Sequence, residues 1–130
     1  MDASSGPVPA ITTSTLTGFG NVCINTSAGP NSFTISGTNL TTANVTVAAL
    51  SGFTYSTSAG GSYTTSLSLT QPGGTYSQEI FVRFDPTAVQ SYNGNIAIAG
   101  GGATAVNVAA SGAGVNTTAS VTSGAATAVT

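Results

Sequence analysis

The sequence predicts an all-β protein: an immunoglobulin-like β-sandwich of about seven to nine short antiparallel strands, with extended terminal segments. Three observations lead there. Val, Ile, Thr, Phe and Tyr fill the apolar runs, and these residues suit a pleated, half-buried surface. The residues that favour helices, such as Glu, Lys, Gln, Arg and Met, are scarce, and no window holds a helical period. Gly and Pro, 17 and 5 of 130 residues, recur between the runs as turn signals. The length fits one domain. Residues 1–9 read as an N-terminal extension, 10–114 as the sandwich, and 115–130 as a C-terminal extended segment.

The strands follow from alternation. Ile11–Thr17 is a Thr-rich extended segment, followed by Val22 and Ile24. Ser32–Gly37 puts Phe33 and Ile35 on one face, and Asn44–Ala49 turns Val45 and Val47 inward. Phe53–Thr57 offers Phe53 and Tyr55; Tyr63–Thr70 offers Leu67 and Leu69 before the turn Pro72-Gly-Gly74. Ser77–Phe84 is the strongest pattern, with Ile80, Val82 and Phe84 facing one way and Glu79, Phe81 and Arg83 the other. Tyr92, Gly94, Ile96 and Ile98 share a parity. After the turn Gly100-Gly-Gly102, Val106 and Val108 form the last core strand, closed by Ser111-Gly-Ala-Gly114. The inward set runs from Phe33 to Val108. At about 1.5–3 kcal/mol per large side chain buried, it offsets the ordering entropy without disulfides.

Three segments carry a resemblance. They are Phe81-Val-Arg-Phe-Asp-Pro86, Ser91-Tyr-Asn-Gly-Asn-Ile-Ala-Ile98 and Val106-Asn-Val-Ala-Ala-Ser-Gly-Ala-Gly114. Together with Ser32-Phe-Thr-Ile-Ser-Gly-Thr-Asn-Leu40 and Gly52-Phe-Thr-Tyr-Ser56, they resemble the Ig-like repeats of large secreted bacterial surface proteins and adhesins. These repeats are related to the ASPM/SPD-2/Hydin-type domains and their choice-of-anchor relatives. The resemblance covers about residues 10–114. It implies a sandwich and an extracellular or cell-surface setting, and it brings no catalytic motif. The chain departs from such repeats in carrying fewer charges. Fold analogy alone assigns no activity.

Charge excludes several classes of function. Lys+Arg is 1, Asp+Glu is 3 and His is 0, where an ordinary domain is about 25% charged. A single cation, Arg83, cannot supply the many phosphate contacts of nucleic-acid binding, nor a polybasic membrane patch. Without His there is no Ser-His-Asp or Cys-His catalysis. Without Lys there is no Schiff base, P-loop or Lys–Asn isopeptide crosslink. A Thr–Gln ester through Gln71, Gln78 or Gln90 stays open, with nothing to mark a partner. The acids Asp2, Glu79 and Asp85 form no calcium cage. Glu79 and Asp85 lie about 20 Å apart along a strand at 3.3 Å per residue, too far for a glycosidase pair. No cofactor and no catalytic residue is expected.

Cys23 stands alone, which excludes an internal disulfide. It reads first as a small buried hydrophobe, with a reactive thiol or an intermolecular bridge as the alternative. No stretch approaches 18 uninterrupted apolar residues, so no membrane insertion is expected. The start lacks a basic segment followed by an apolar one, so an exported form would have lost its signal. The sequons at Asn25, Asn39, Asn44 and Asn116 carry little weight in a Thr-rich chain.

Three functional expectations follow. The first is self-association of a surface fibre or adhesin subunit, with itself or with adjacent repeats as partner. The edges lack the Lys and other charges that guard most sandwiches. Ala119, Val121, Ala125 and Val129 share a strand parity in the C-terminal segment, as do Val8, Ala10 and Leu16 near the start. Each segment reads either as a linker or as a pairing strand. The second expectation is a carbohydrate-binding or adhesive module, with Tyr55, Tyr63 and Tyr76 stacking on a glycan. Against it, tyrosines also serve to close sheet edges. The third, adhesion to ice through Thr12, Thr13, Thr15, Thr64 and Thr65, lacks a fixed multi-strand repeat.

Overall fold

A computed structural model describes residues 8–116. Eleven strands are present among them: β1 (Ala10–Thr13), β2 (Asn21–Cys23), β3 (Ala28–Leu40), β4 (Val45–Val47), β5 (Phe53–Ser56), β6 (Leu67–Leu69), β7 (Gly74–Phe84), β8 (Gln90–Ser91), β9 (Gly94–Gly100), β10 (Ala103–Ala110) and β11 (Ala113–Val115). The fold is all-β and of sandwich type. One four-stranded sheet has the order β1-β3-β7-β5, a second β10-β9-β4-β6, and a small third β2-β11-β8.

The alternation explains the layers. Phe33, Ile35, Phe53, Tyr55, Ile80, Val82 and Phe84 project from the first sheet, and Val45, Val47, Leu69, Ile96, Ile98 and Val108 from the second. They meet in one hydrophobic cluster. Tyr92 is buried with them. Two expected core residues, Leu67 and Val106, are only half-buried. Leu67 sits on the three-residue edge strand β6, and Val106 follows a register shift in β10. Ile11, Leu16 and Leu40 join the core beyond the expected set.

Three corrections to the expected architecture stand out. There are eleven strands rather than seven to nine, because β2, β8 and β11 are only two or three residues long. One pair is parallel, not antiparallel: Ala113, Gly114 and Val115 of β11 align with Asn21, Val22 and Cys23 of β2. Ser111-Gly-Ala-Gly114 is therefore not simply a closing turn; its second half is strand. β1-β3-β7 belong to one sheet and β10-β9-β4 to the other. Between β4 and β7, however, the chain crosses to β5 in the first sheet and returns to β6 in the second.

The sandwich has two distinct ends. At the upper end Ala10 pairs with Thr38, Leu40 with Gly74 and Val45 with Gly100. Gly100, Gly101 and Gly102 all have positive φ in the β9–β10 turn, and a Cβ on Gly100 would strike the Asn44 carbonyl. Gln71 braces this end. Its buried amide donates to Thr41 O and Ala43 O, each at 2.7 Å, and its Oε1 accepts the Gly73 amide at 2.6 Å. At the lower end Phe84 pairs with both Ala28 and Phe53, and the third sheet closes the bottom. The described chain thus enters through β1 at the upper end and leaves through β11 at the lower.

Candidate assembly surface

A sandwich exposes edge strands, and their unpaired N–H and C=O groups are templates for another strand. β1 has four residues and β6 three. The edge of β5 is covered locally: Tyr55 N–H donates to Thr64 O at 2.7 Å, and Thr64 N–H to Tyr55 O at 2.9 Å. β10 has eight residues and pairs only with β9, which makes it the longest strand paired on one side only among the described residues; β1 packs against it, and the free space beside it lies at residues 107–109.

The flank of β10 is shaped by how the chain leaves β1. Ser14 stays with β3, its amide donating to Thr34 O at 3.0 Å and its Oγ accepting the Thr34 amide at 2.8 Å. The segment then crosses under the sandwich edge until Phe19 N–H reaches Ser111 O at 3.0 Å, just past the end of β10. Among the described residues, segment 14–17 makes no backbone hydrogen bond to β10. The gap is a groove of about 440 Å³ between residues 13–16 and 107–109. Leu16 and Val108 are buried and give it an apolar floor; Thr15, Asn107 and Ala109 are exposed on its rims.

The outer face that continues from this edge is uncharged. Asn95, Ala97 and Ala99 of β9, Thr46 of β4 and Ser68 of β6 have the parity opposite to the core residues. The charges of the described residues lie instead on β7 or directly after it. Glu79 accepts the Ser32 hydroxyl at 2.7 Å. Asp85 accepts the hydroxyls of Ser27 and of Thr54, the latter at 2.9 Å. The Arg83 guanidinium lies 4.3 Å from the centroid of the Tyr63 ring. A cation over a ring face is held by the ring's quadrupole.

The residues expected to carry function are dispersed by this arrangement. Val8 is 72% exposed and Ala10 is exposed beside it at the upper end. Leu16, expected to face a partner with them, is instead 9% exposed and part of its own core. The chain bends between β1 and Phe19, so the shared parity is broken. Ala119, Val121, Ala125 and Val129 lie outside the described residues.

The tyrosines form no common platform. Tyr55 is fully buried, contrary to a stacking role: β5 turns it inward, and its hydroxyl donates to Ala48 O at 3.0 Å. Burial pushes its phenol up to about 12. Tyr63 has Arg83 over its ring and donates its hydroxyl to Ala59 O at 2.7 Å. Tyr76 is half-buried against the core, and that burial raises its phenol above the ordinary value.

Other candidates find structural places. The Gln71 amide is fully engaged as a brace. Cys23 is half-buried in β2, with a free thiol. Among the described residues, no three of His, Cys, Asp and Glu cluster as metal ligands would. Sequence reasoning missed the groove. Its only trace was the run Thr12-Thr-Ser-Thr-Leu-Thr17, where strand alternation loses its apolar half after Ile11.

Protein-family models and curated proteins were both compared with the chain, and neither comparison gives a match.

Proposed function

We propose that this chain is a non-enzymatic extracellular structural protein: a subunit or repeat of a surface fibre or adhesin that self-associates through strand edges or terminal donor strands. One observation carries the reading. β10 is an uncharged strand paired on one side only, and its residues 107–109 flank an apolar-floored groove. Strand addition at such an edge draws affinity from main-chain hydrogen bonds and selectivity from the adjoining pocket. Without Lys at the edge, nothing repels an incoming strand. The low charge of the second sheet's outer face points the same way. So does the resemblance of the 81–86, 91–98 and 106–114 segments to repeats of secreted bacterial surface proteins.

The alternative, a carbohydrate-binding module, has less support. Its stacking residues are buried, occupied by Arg83 or half-covered.

The test compares the full chain with a variant ending at residue 116, by sedimentation and negative-stain microscopy. Concentration-dependent fibres or oligomers are expected from the full chain, and monomers with the same far-ultraviolet spectrum from the short one. Persistent polymers in the short variant would leave strand edges as the route and remove the donor strand. A full chain that stays monomeric at every concentration would overturn the reading.

A further inference from the structure

We propose that the groove between segment 13–16 and β10 receives residues 117–130 of a second copy of this chain. The inference rests on the self-association reading above and names the two surfaces that meet.

Residues 117–130 continue the chain beyond the lower end, and they contain no charged side chain. Small apolar residues recur at Ala119, Val121, Ala125 and Val129, with Thr and Ser mostly between them. This pattern matches a floor of Leu16 and Val108 below rims of Thr15, Asn107 and Ala109. Fourteen residues extend to at most roughly 46 Å at 3.3 Å each, whereas lying along residues 107–109 needs about 10 Å. The surplus suffices to cross from one subunit to the next.

The chain's own groove is a poor destination for this segment. β11 is flanked by β2 on one side and β8 on the other. A hairpin back from Asn116 therefore has no free edge to follow. The edge leading up to β10 is held by Phe19 N–H on Ser111 O at 3.0 Å and by Ala113 N–H on Gly20 O at 2.9 Å. A second copy meets no such obstacle. Each subunit then donates one segment at its lower end and accepts one beside β10, a head-to-tail contact that propagates.

The test is disulfide trapping between full-length chains in a Cys23→Ser background. One chain carries Asn107→Cys on the groove rim. The other carries Ala119→Cys, Val121→Cys, Ala125→Cys or Val129→Cys in turn. The control rim is Thr46→Cys on the outer face of the second sheet. Mixing and mild oxidation should give a disulfide-linked dimer with Asn107→Cys, at one or two tail positions, and only background with Thr46→Cys. A chain carrying both cysteines should form linked multimers rather than a closed monomer.

A closed monomer would place the segment in its own groove and overturn the inference. Equal trapping at both rims, or none while the chains still form polymers by sedimentation, would overturn it and leave self-association standing. Chains that neither trap nor associate would overturn the inference and the reading on which it rests.

Discussion

The lower end and the flank of β10 belong to one continuous run of chain, yet they are finished differently. At the lower end Phe84 stacks on Phe53 at 5.0 Å, tilts against Phe19 at 5.7 Å and meets Tyr92 edge-on at 5.3 Å. The strand that follows β10 is paired on both sides. The Tyr92 hydroxyl accepts the amides of Thr87 and Ala88 at 3.2 and 3.0 Å, and Asn93 accepts that of Gly112 at 3.1 Å. Burial alone would raise the Tyr92 phenol; hydrogen bonds from Thr87, Ala88 and the Gln90 side chain together outweigh it and lower the phenol. A few residues earlier, β10 is paired on one side only and faces a groove. The contrast separates two places: aromatic packing and saturated pairing hold the lower end, while the strand paired on one side only is where the proposed self-association would act.

Substitutions at the two places should therefore act on different measurements. The largest effect is expected from Phe84→Ala, which removes the centre of the aromatic cluster. It should cost about 3–5 kcal/mol in denaturant unfolding. A loss below about 1 kcal/mol, the usual size of a tolerated core swap, would mean that the cluster does not hold the lower end. Next comes Gly114→Ala. A Cβ there strikes the Ala88 carbonyl and approaches Pro86 Cβ at 2.9 Å. Overpacking of this kind should cost about 1–3 kcal/mol, read by the same unfolding curve.

Alkaline titration gives a smaller effect. The Tyr55 phenol is raised to about 12 in the folded state, against about 10 when unfolded. The unfolded chain then holds fewer protons between these values, so stability falls as pH rises from about 10 to 12. The loss should reach at most about 2 kcal/mol, allowing for solvent screening. Tyr55→Phe should flatten that part of the pH profile.

The smallest effect on folding is expected at the flank. Ala109→Lys should change stability by no more than about 0.5 kcal/mol. It should nevertheless suppress association, because a Lys on an edge strand opposes a partner. Equal association of Ala109→Lys and the unaltered chain in sedimentation would break the comparison.

Much of the fold was legible because its signal is local. In Ile80–Phe84 every second residue, Ile80, Val82 and Phe84, is large and apolar, and a strand buried on one face has no other way to write itself. The short strands β2, β8 and β11 are too brief for alternation. Their pairing depends on where distant segments arrive. Gly112 and Gly114 read as a turn because glycine marks turns; here their missing side chains admit Phe84 and the Ala88 carbonyl. The candidate site was hardest to read. A flanked edge and a grooved edge have the same sequence grammar, and only the path of residues 14–19 leaves a groove beside β10. The Arg83–Tyr63 contact was equally hidden, since it needs the loop after β5 to bring Tyr63 back over β7.

The opposite exits of the described chain have a mechanical consequence. A pull along the long axis arrives through β1, whose four register pairs with β3, from Ala10↔Thr38 to Thr13↔Ile35, lie along that axis. It leaves through β11, which runs parallel to β2. Both junctions are loaded in shear, so their hydrogen bonds share the force and must rupture together. A hairpin peeled from its tip would release them singly. Tensile strength along this axis thus comes from the direction in which the strands are entered and left.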